Sequence, residues 1–326
     1  MNMNEHHGVW VYSENFGLTL EMLSKAAELA GKRQTETAAL LIGHEAKSKA
    51  DDLASYGASK VYVVDNPELK VYQSEKYLGA LATLVKDRKP EILLIGSTRK
   101  GRELAARLAT RFETGCVPDC TNLSLDEEGR LITERVVYGG SASVTQVSTI
   151  KPQIACVPPR TFEKASKTDK KSEVIDVAVS QFEAPKTEIV EVKPVEAAQV
   201  KIEEAKVVVI GGRGLGKKED FKILESLCQV LGGQIGWTRP LAEDRKWFKG
   251  DWVGLSGHYI KPTLYIGCGV SGVIQHIAGI RDSQVIVAIN KDSEAPIFEM
   301  ADYVVVGDLY KIVPALEASI RKLLTS

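Results

Sequence analysis

Short apolar runs and helix-spaced segments alternate along most of the chain. Residues 8–12 (GVWVY) read as a strand, and 18–30 follow with helical spacing at Leu18, Met22, Ala26 and Leu29. Further strands are expected over 37–42, ending at Gly43, and over 61–64, stopped by Asp65, Asn66 and Pro67. A helix over 74–87 leads into the strong apolar run 92–95 (ILLI), after which another helix runs to about Phe112. Ser97 and Thr98 before that helix read as a cap rather than a phosphate cradle, because no P-loop lysine spacing accompanies them. From 115 to 162 the pattern changes to alternating strands, 133–138 and 145–150, joined at Gly139 and Gly140, and then 154–157. The β-branched runs 174–179 and 189–192 are expected to complete this sheet. Strand and helix in turn predict α/β architecture with a mostly parallel, nucleotide-binding-like sheet in a first domain over 1–200. The boundary is placed in the glycine-free stretch 195–205, with a second domain over 206–326.

The second domain repeats the alternation and adds glycine-rich turns. The apolar run 206–210 enters Gly211-Gly-Arg-Gly-Leu-Gly216, and a helix follows with Phe221, Leu224, Leu227, Cys228 and Leu231 on one face. Strand, glycine turn and helix bring backbone N–H groups against an anion, although Lys217 stands where a dinucleotide fingerprint needs its third glycine. A short strand over 234–237 ends at Thr238, Arg239 and Pro240, where a common NAD site would have a carboxylate for the ribose. The strand 264–266 runs into Gly267, Gly269 and Gly272, which fit G-x-G-x-x-G, and a helix is expected from Val273. Gln275 and His276 fall in its first turn, within reach of a bound ring or phosphate. Strands over 285–289 and 303–306 and a closing helix over 312–324 complete a doubly wound, Rossmann-like domain. The carboxyl ends of its strands are expected to gather Arg213, Thr238, Arg239, Ser271, Gln275, His276, Asn290 and Asp308 into a cofactor pocket.

Composition narrows this picture without redirecting it. The 326 residues are 44% hydrophobic and 26% charged with net charge −1, a soluble composition with no global field for nucleic acid or an anionic membrane. No apolar run reaches transmembrane length. The opening MNMNEHHGVWVYSE has neither transit nor signal character, so the cytoplasm is the expected compartment. Five scattered cysteines argue against a disulfide framework, and Cys116 and Cys120 lack a second pair that would complete a metal site.

At these residues the chain resembles the α subunit of electron transfer flavoprotein. The resemblance is carried by LYIGCGVSGVIQHIAG (264–279) and IVAIN (286–290), with support from Gly211-Gly-Arg-Gly214, Thr238-Arg239, Ala295-Pro-Ile-Phe298 and Ala301-Asp-Tyr303. In the first domain Leu94-Ile-Gly-Ser-Thr98, Gly101-Arg-Glu-Leu-Ala105 and Asp119-Cys-Thr121 look like the same family, so the likeness spans nearly the whole chain. It implies FAD in the second domain and a heterodimer with a β subunit. It further implies that Arg239 matches the arginine beside the isoalloxazine that favours the anionic semiquinone, that Ser256 is the hydroxyl near N5, and that His276 lies at the pyrimidine end. Arg213, Ser271 and Gln275, with Gly269 and Gly272 in the same loop, match positions around the ribityl–pyrophosphate. Asn290 and Asp308 match those at the adenosine end. Three departures stand out: Gly267 where Ala or Thr is usual, Leu255 for Gln, and His258 for Lys.

The function implied is electron transfer between flavoproteins, an acyl-CoA dehydrogenase type among them as in fatty acid β-oxidation, without bond chemistry on an organic substrate. Whether such a complex bifurcates electrons stays open. Two rivals stay open as well: an NADP-dependent oxidoreductase, motivated by the glycine motif and Arg239, and a nucleotide-binding subunit with no redox role.

Overall fold

The computed structural model describes residues 6–169, 172–179, 182, 184–193, 202–249 and 252–325. The chain divides into two compact domains, one up to Val192 and one from Lys193. Part of the boundary stretch expected over 195–205, residues 195–201, lies outside the described residues.

The first domain is built from β1 (Val9–Tyr12), α1 (Phe16–Arg33), β2 (Thr37–Gly43), α2 (Ala50–Ala54), β3 (Lys60–Asp65), α3 (Ser74–Arg88), β4 (Ile92–Gly96), α4 (Arg99–Arg111), β5 (Cys116–Val117), β6 (Cys120–Leu125), β7 (Leu131–Val137), β8 (Ala142–Val147), β9 (Gln153–Val157) and β10 (Glu173–Asp176). Its main sheet runs β10-β3-β2-β1-β4-β9-β5, parallel throughout, and β6-β7-β8 form a separate antiparallel sheet. Side chains alternate between two cores: Val9 and Val11 pack on one face of the main sheet, Trp10 and Tyr12 on the other. Both faces are therefore covered, which is why these strands read as continuous apolar runs. Thr98 caps α4, its Oγ1 accepting the Gly101 N–H at 2.9 Å.

Sequence and structure part in three places here. Residues 189–192 are not a strand: Val190 is 93% exposed, and the run pairs with no strand of the described residues. The strand expected over 145–150 lies at Ala142–Val147, drawn back by its register with β7, in which Val137 pairs with Ala142. The strands β5 and β6, absent from the periodic reading, are held by pairing with β9 and β7.

The second domain comprises β11 (Val207–Gly211), α5 (Phe221–Val230), β12 (Gln234–Thr238), α6 (Arg239–Glu243), β13 (Trp252–Val253), β14 (Leu264–Cys268), α7 (Ile274–Ile277), β15 (Val285–Asn290), β16 (Tyr303–Val306) and α8 (Leu309–Thr325). The sheet is parallel in the order β13-β12-β11-β14-β15-β16. The chain winds outward from β11 to β13, then returns past β11 to start β14. The crossover thus falls between β11 and β14, and in such sheets the crevice beyond the carboxyl ends at that point binds ligands. Val208 and Ile210 enter one core, Val209 the other, with Leu224, Leu227 and Val313 of the covering helices. The helix expected from Val273 is only one turn, α7. No described helix is long and apolar enough to cross a membrane.

Candidate functional site

Two glycine-bearing loops leave the sheet side by side at the crossover, and they are built to touch each other. The Gly212 N–H donates to the Cys268 carbonyl at 3.0 Å, and the Gly214 N–H to the Gly269 carbonyl at 2.9 Å. A Cβ on Gly212 would stand 2.3 Å from the Gly269 oxygen, so the glycines serve this close approach. The first loop is tied down further. Arg245 donates to the carbonyls of Leu215 and Arg213, and the Tyr310 hydroxyl accepts the Gly216 N–H while donating to Asp220 at 2.6 Å. Most of its N–H groups are thereby used inside the protein, contrary to the anion cradle its glycines suggest.

The open donors lie on the second loop. The N–H groups of Ser271, Gly272, Val273 and Ile274 have no acceptor among the described residues. Ser271, Gly272 and Val273 border a cleft of about 610 Å³, within the range of small-molecule and cofactor sites. Every residue of the expected set except Asp308 lines it: Arg213, Thr238, Arg239, Ser256, Gly269, Ser271, Gly272, Gln275, His276 and Asn290. Asp308 is not part of this lining; its carboxylate accepts the Tyr310 N–H at 3.0 Å at the start of α8. The Asn290 side chain donates to the Val270 carbonyl at 2.9 Å, which holds the second loop against β15.

The opposite wall comes from β12 and β13. Thr238 ends β12 nearly buried, and its hydroxyl oxygen has no hydrogen-bond partner among the described residues. A buried hydroxyl left unpaired costs about 1–3 kcal/mol, which a ligand acceptor would recover. Arg239 follows, its Nε 2.6 Å from Glu243 and its guanidinium 5.9 Å from the centre of the Trp252 ring. The Trp252 indole N–H donates to Ser256 Oγ at 3.1 Å, which leaves the serine proton free for another acceptor. Leu255 stands exposed at the rim, and His258 is taken up by Glu203. Sequence reasoning missed Glu243 and Trp252. An i,i+4 carboxylate after Arg239 was a legible signal; a two-residue strand carrying Trp252 gave none. Formal charge in the cleft is balanced, with Arg213, Arg239 and Lys291 against Glu243, Asp244 and Asp292. No group of three or more metal-ligating side chains is found among the described residues.

His276 lines the cleft but is 4% exposed, with both ring nitrogens bonded inside the protein. Burial pushes its pKa from 6.5 down to about 4, partly opposed by the Val253 carbonyl. Above 6.5 the imidazole is neutral folded or unfolded; as the pH falls toward 4, the unfolded chain takes the proton first. Stability of the second domain is therefore expected to drop by about 2 kcal/mol between about pH 7 and pH 5. Denaturant melts that show the same loss in His276→Gln would refute this.

Comparison with known proteins adds a family. Residues 10–182 match the electron transfer flavoprotein domain and 201–281 the electron transfer flavoprotein FAD-binding domain. The chain is 40% identical to an electron transfer flavoprotein subunit alpha of Thermoanaerobacterium thermosaccharolyticum, over 98% of this chain and 100% of that one. It is 42% identical to the same subunit of Clostridium acetobutylicum, over 98% and 99%. It is 32% identical to the acryloyl-CoA reductase electron transfer subunit beta of Anaerotignum propionicum, over 98% and 97%.

Proposed function

The chain belongs to the electron transfer flavoprotein family, as an α subunit, and from that premise we propose that its second domain holds FAD in the cleft at the β11–β14 crossover. The observation that carries this reading is one space bordered by a row of unpaired backbone N–H groups, an orphan buried hydroxyl at Thr238 and a cation at Arg239. The donor row of Ser271 to Val273, with Arg213 and the Gln275 side chain, suits a diphosphate. Arg239, Thr238 and the Ser256 hydroxyl suit the polar edge of a ring. FAD supplies one- and two-electron redox chemistry when bound. The protein's part is to hold the ring, fix the charge around it and leave an edge for electron partners.

In this reading the chain pairs with a β subunit as a soluble cytoplasmic heterodimer. It carries electrons from an acyl-CoA dehydrogenase-type flavoprotein to an acceptor. A relative named as the electron transfer subunit of an acryloyl-CoA reductase supports that partner class. The NADP-dependent rival is weakened by His276, its one proton-transfer candidate, whose nitrogens are both occupied. It is weakened again by the Glu243 carboxylate on Arg239, which repels a 2′-phosphate.

Coexpression with a β subunit, followed by absorption spectroscopy and flavin extraction, tests the proposal. A yellow heterodimer with at least one FAD is expected, and a second FAD per heterodimer would mark a complex equipped for bifurcation. A complex that stays colourless after incubation with FAD, yet binds adenine nucleotides, would overturn it.

A further inference from the structure

Residues Trp252 to Ser256 line one side of the cleft, and backbone bonds close the loop that carries them. The His258 N–H donates to the Trp252 carbonyl at 2.8 Å, the Gly254 N–H to the His258 carbonyl at 3.1 Å and the Gly257 N–H to the Gly254 carbonyl at 2.9 Å. Trp252 pairs in register with Trp237 of β12, and its neighbour Val253 enters the core, so the alternation of β13 turns the Trp252 side chain the other way. Gly257 leaves room for the indole there. A Cβ at 257 would stand 2.6 Å from Trp252 Cδ1, 2.8 Å from its Nε1 and closer still to its carbonyl oxygen. Half-buried in that place, the indole meets two side chains of the cleft. Its N–H donates to Ser256 Oγ at 3.1 Å, and its ring centre lies 5.9 Å from the Arg239 guanidinium.

An indole nitrogen donates and does not accept, so the direction of this bond is fixed and Ser256 is the acceptor. The serine proton goes to none of the described residues. Of the side chains from 252 to 256, only Trp252 and Ser256 carry a polar atom, since Leu255 stands where Gln was expected. With the indole proton spent on the serine, these side chains offer a ligand one donor, the Ser256 hydroxyl. Accepting a bond from the indole strengthens that donor. We propose that Trp252 is a positioning residue for the cofactor's ring: its N–H aims the Ser256 hydroxyl as a donor into the cleft, and its ring face holds the Arg239 guanidinium at the same edge. Its action on the cofactor rests on the reading that the cleft holds flavin; the Trp252–Ser256 bond does not. Arg239 is held twice, by Glu243 at 2.6 Å and by the indole face, while the Ser256 hydroxyl has only the indole among the described residues. The hydroxyl therefore depends on Trp252 more than the guanidinium does.

The test is a double-variant cycle on the heterodimer, read by FAD affinity and the one-electron midpoint potential. Trp252→Phe keeps an aromatic face and removes the N–H. It is expected to weaken FAD binding by about fivefold, the effect of one hydrogen bond. It should also lower the potential, as Ser256→Ala does, because a bond donated to the ring tightens as the ring gains negative charge. On the Ser256→Ala background, Trp252→Phe should change neither quantity. Ser256→Thr, which keeps the hydroxyl, should keep the full response to Trp252→Phe. Trp252→Leu also removes the face over Arg239 and should lower the potential further, an extra loss that disappears in Arg239→Ala. An equal effect of Trp252→Phe with and without the Ser256 hydroxyl overturns the inference, since a merely structural indole acts in both backgrounds. Nitrogen-15 NMR of the tryptophan-labelled heterodimer reads the bond itself, with or without flavin. The Trp252 indole proton should move upfield in Ser256→Ala and hold its place in Ser256→Thr. An indole signal indifferent to Ser256→Ala also overturns the inference, and this readout decides should Trp252→Phe fail to fold. A heterodimer with the expected indole response but no flavin would refute the electron-carrier reading alone. Bound flavin with independent Trp252 and Ser256 effects would refute this inference alone.

Discussion

A heterodimer carrying Gly272→Ala is expected to leave purification largely without flavin, its FAD affinity reduced by about 100-fold or more. Gly272 has φ +84°, a conformation that costs a residue with a Cβ about 1–2 kcal/mol. The Cβ would also lie 2.3 Å from the Ile297 nitrogen and 2.5 Å from its Cα. Those are backbone atoms of the turn Pro296–Glu299, and the Ile297 N–H is itself bonded to the Ser271 carbonyl at 3.1 Å. Nothing there can swing aside, so the loop must lift, at a further cost of about 1–3 kcal/mol from overpacking. The loop that moves is the one bearing the unpaired N–H groups of Ser271 to Ile274. Gly232→Ala is the control. Its φ is +62°, but nothing stands within 4 Å of the added Cβ, and it lies outside the cleft. That variant should lose about 1 kcal/mol of stability and keep its flavin. Flavin absorbance per heterodimer, with circular dichroism for folding, separates the two. Wild-type flavin affinity in Gly272→Ala would show that this loop does not bind the cofactor.

The parallel sheets were legible because strands buried on both faces must be apolar throughout, as Ile92–Gly96, Val207–Gly211 and Leu264–Cys268 are. Residues 189–192 carry the same β-branched composition but pair with no strand of the described residues, and composition alone does not say whether a strand will find a partner. The glycines of 211–216 marked a tight loop, but not what it was tight against. The partner is Gly269, more than fifty residues on, so the contact is invisible to any local pattern. Shorter separations still hid the state of His276, whose ring nitrogens meet a carbonyl 23 residues away and a hydroxyl 11 residues away. Local periodicity therefore finds where a ligand cleft opens. Which groups in it remain free to meet a ligand depends on non-local pairing, and only the folded chain displays that.

Arg239→Ala is expected to lower the midpoint potential of the bound flavin by on the order of 100 mV. A unit charge acting over about 7 Å at an effective dielectric near 20 contributes about 2.4 kcal/mol, and for one electron about 1.4 kcal/mol corresponds to about 59 mV. The guanidinium is half exposed, so salt should shrink the effect. The carboxylate of Glu243, on Arg239 at 2.6 Å, gives the prediction a second arm. Removing the arginine leaves that anion bare beside the ring, while Glu243→Gln leaves the cation unopposed. Reduction adds negative charge to the ring, so the first change must disfavour it and the second favour it. Glu243→Gln should therefore raise the potential, by less than the arginine loss lowers it, because the arginine keeps its place over the Trp252 ring. The double variant, with neither charge, should fall between the two single variants. Spectroelectrochemical titration of the four proteins at low and high salt reads the order directly. If Arg239→Ala and wild type agree within about 20 mV, a small fraction of the Coulomb value above, the charge that steadies the reduced cofactor must come from elsewhere, with Arg213 and Lys291 the remaining cations of the cleft.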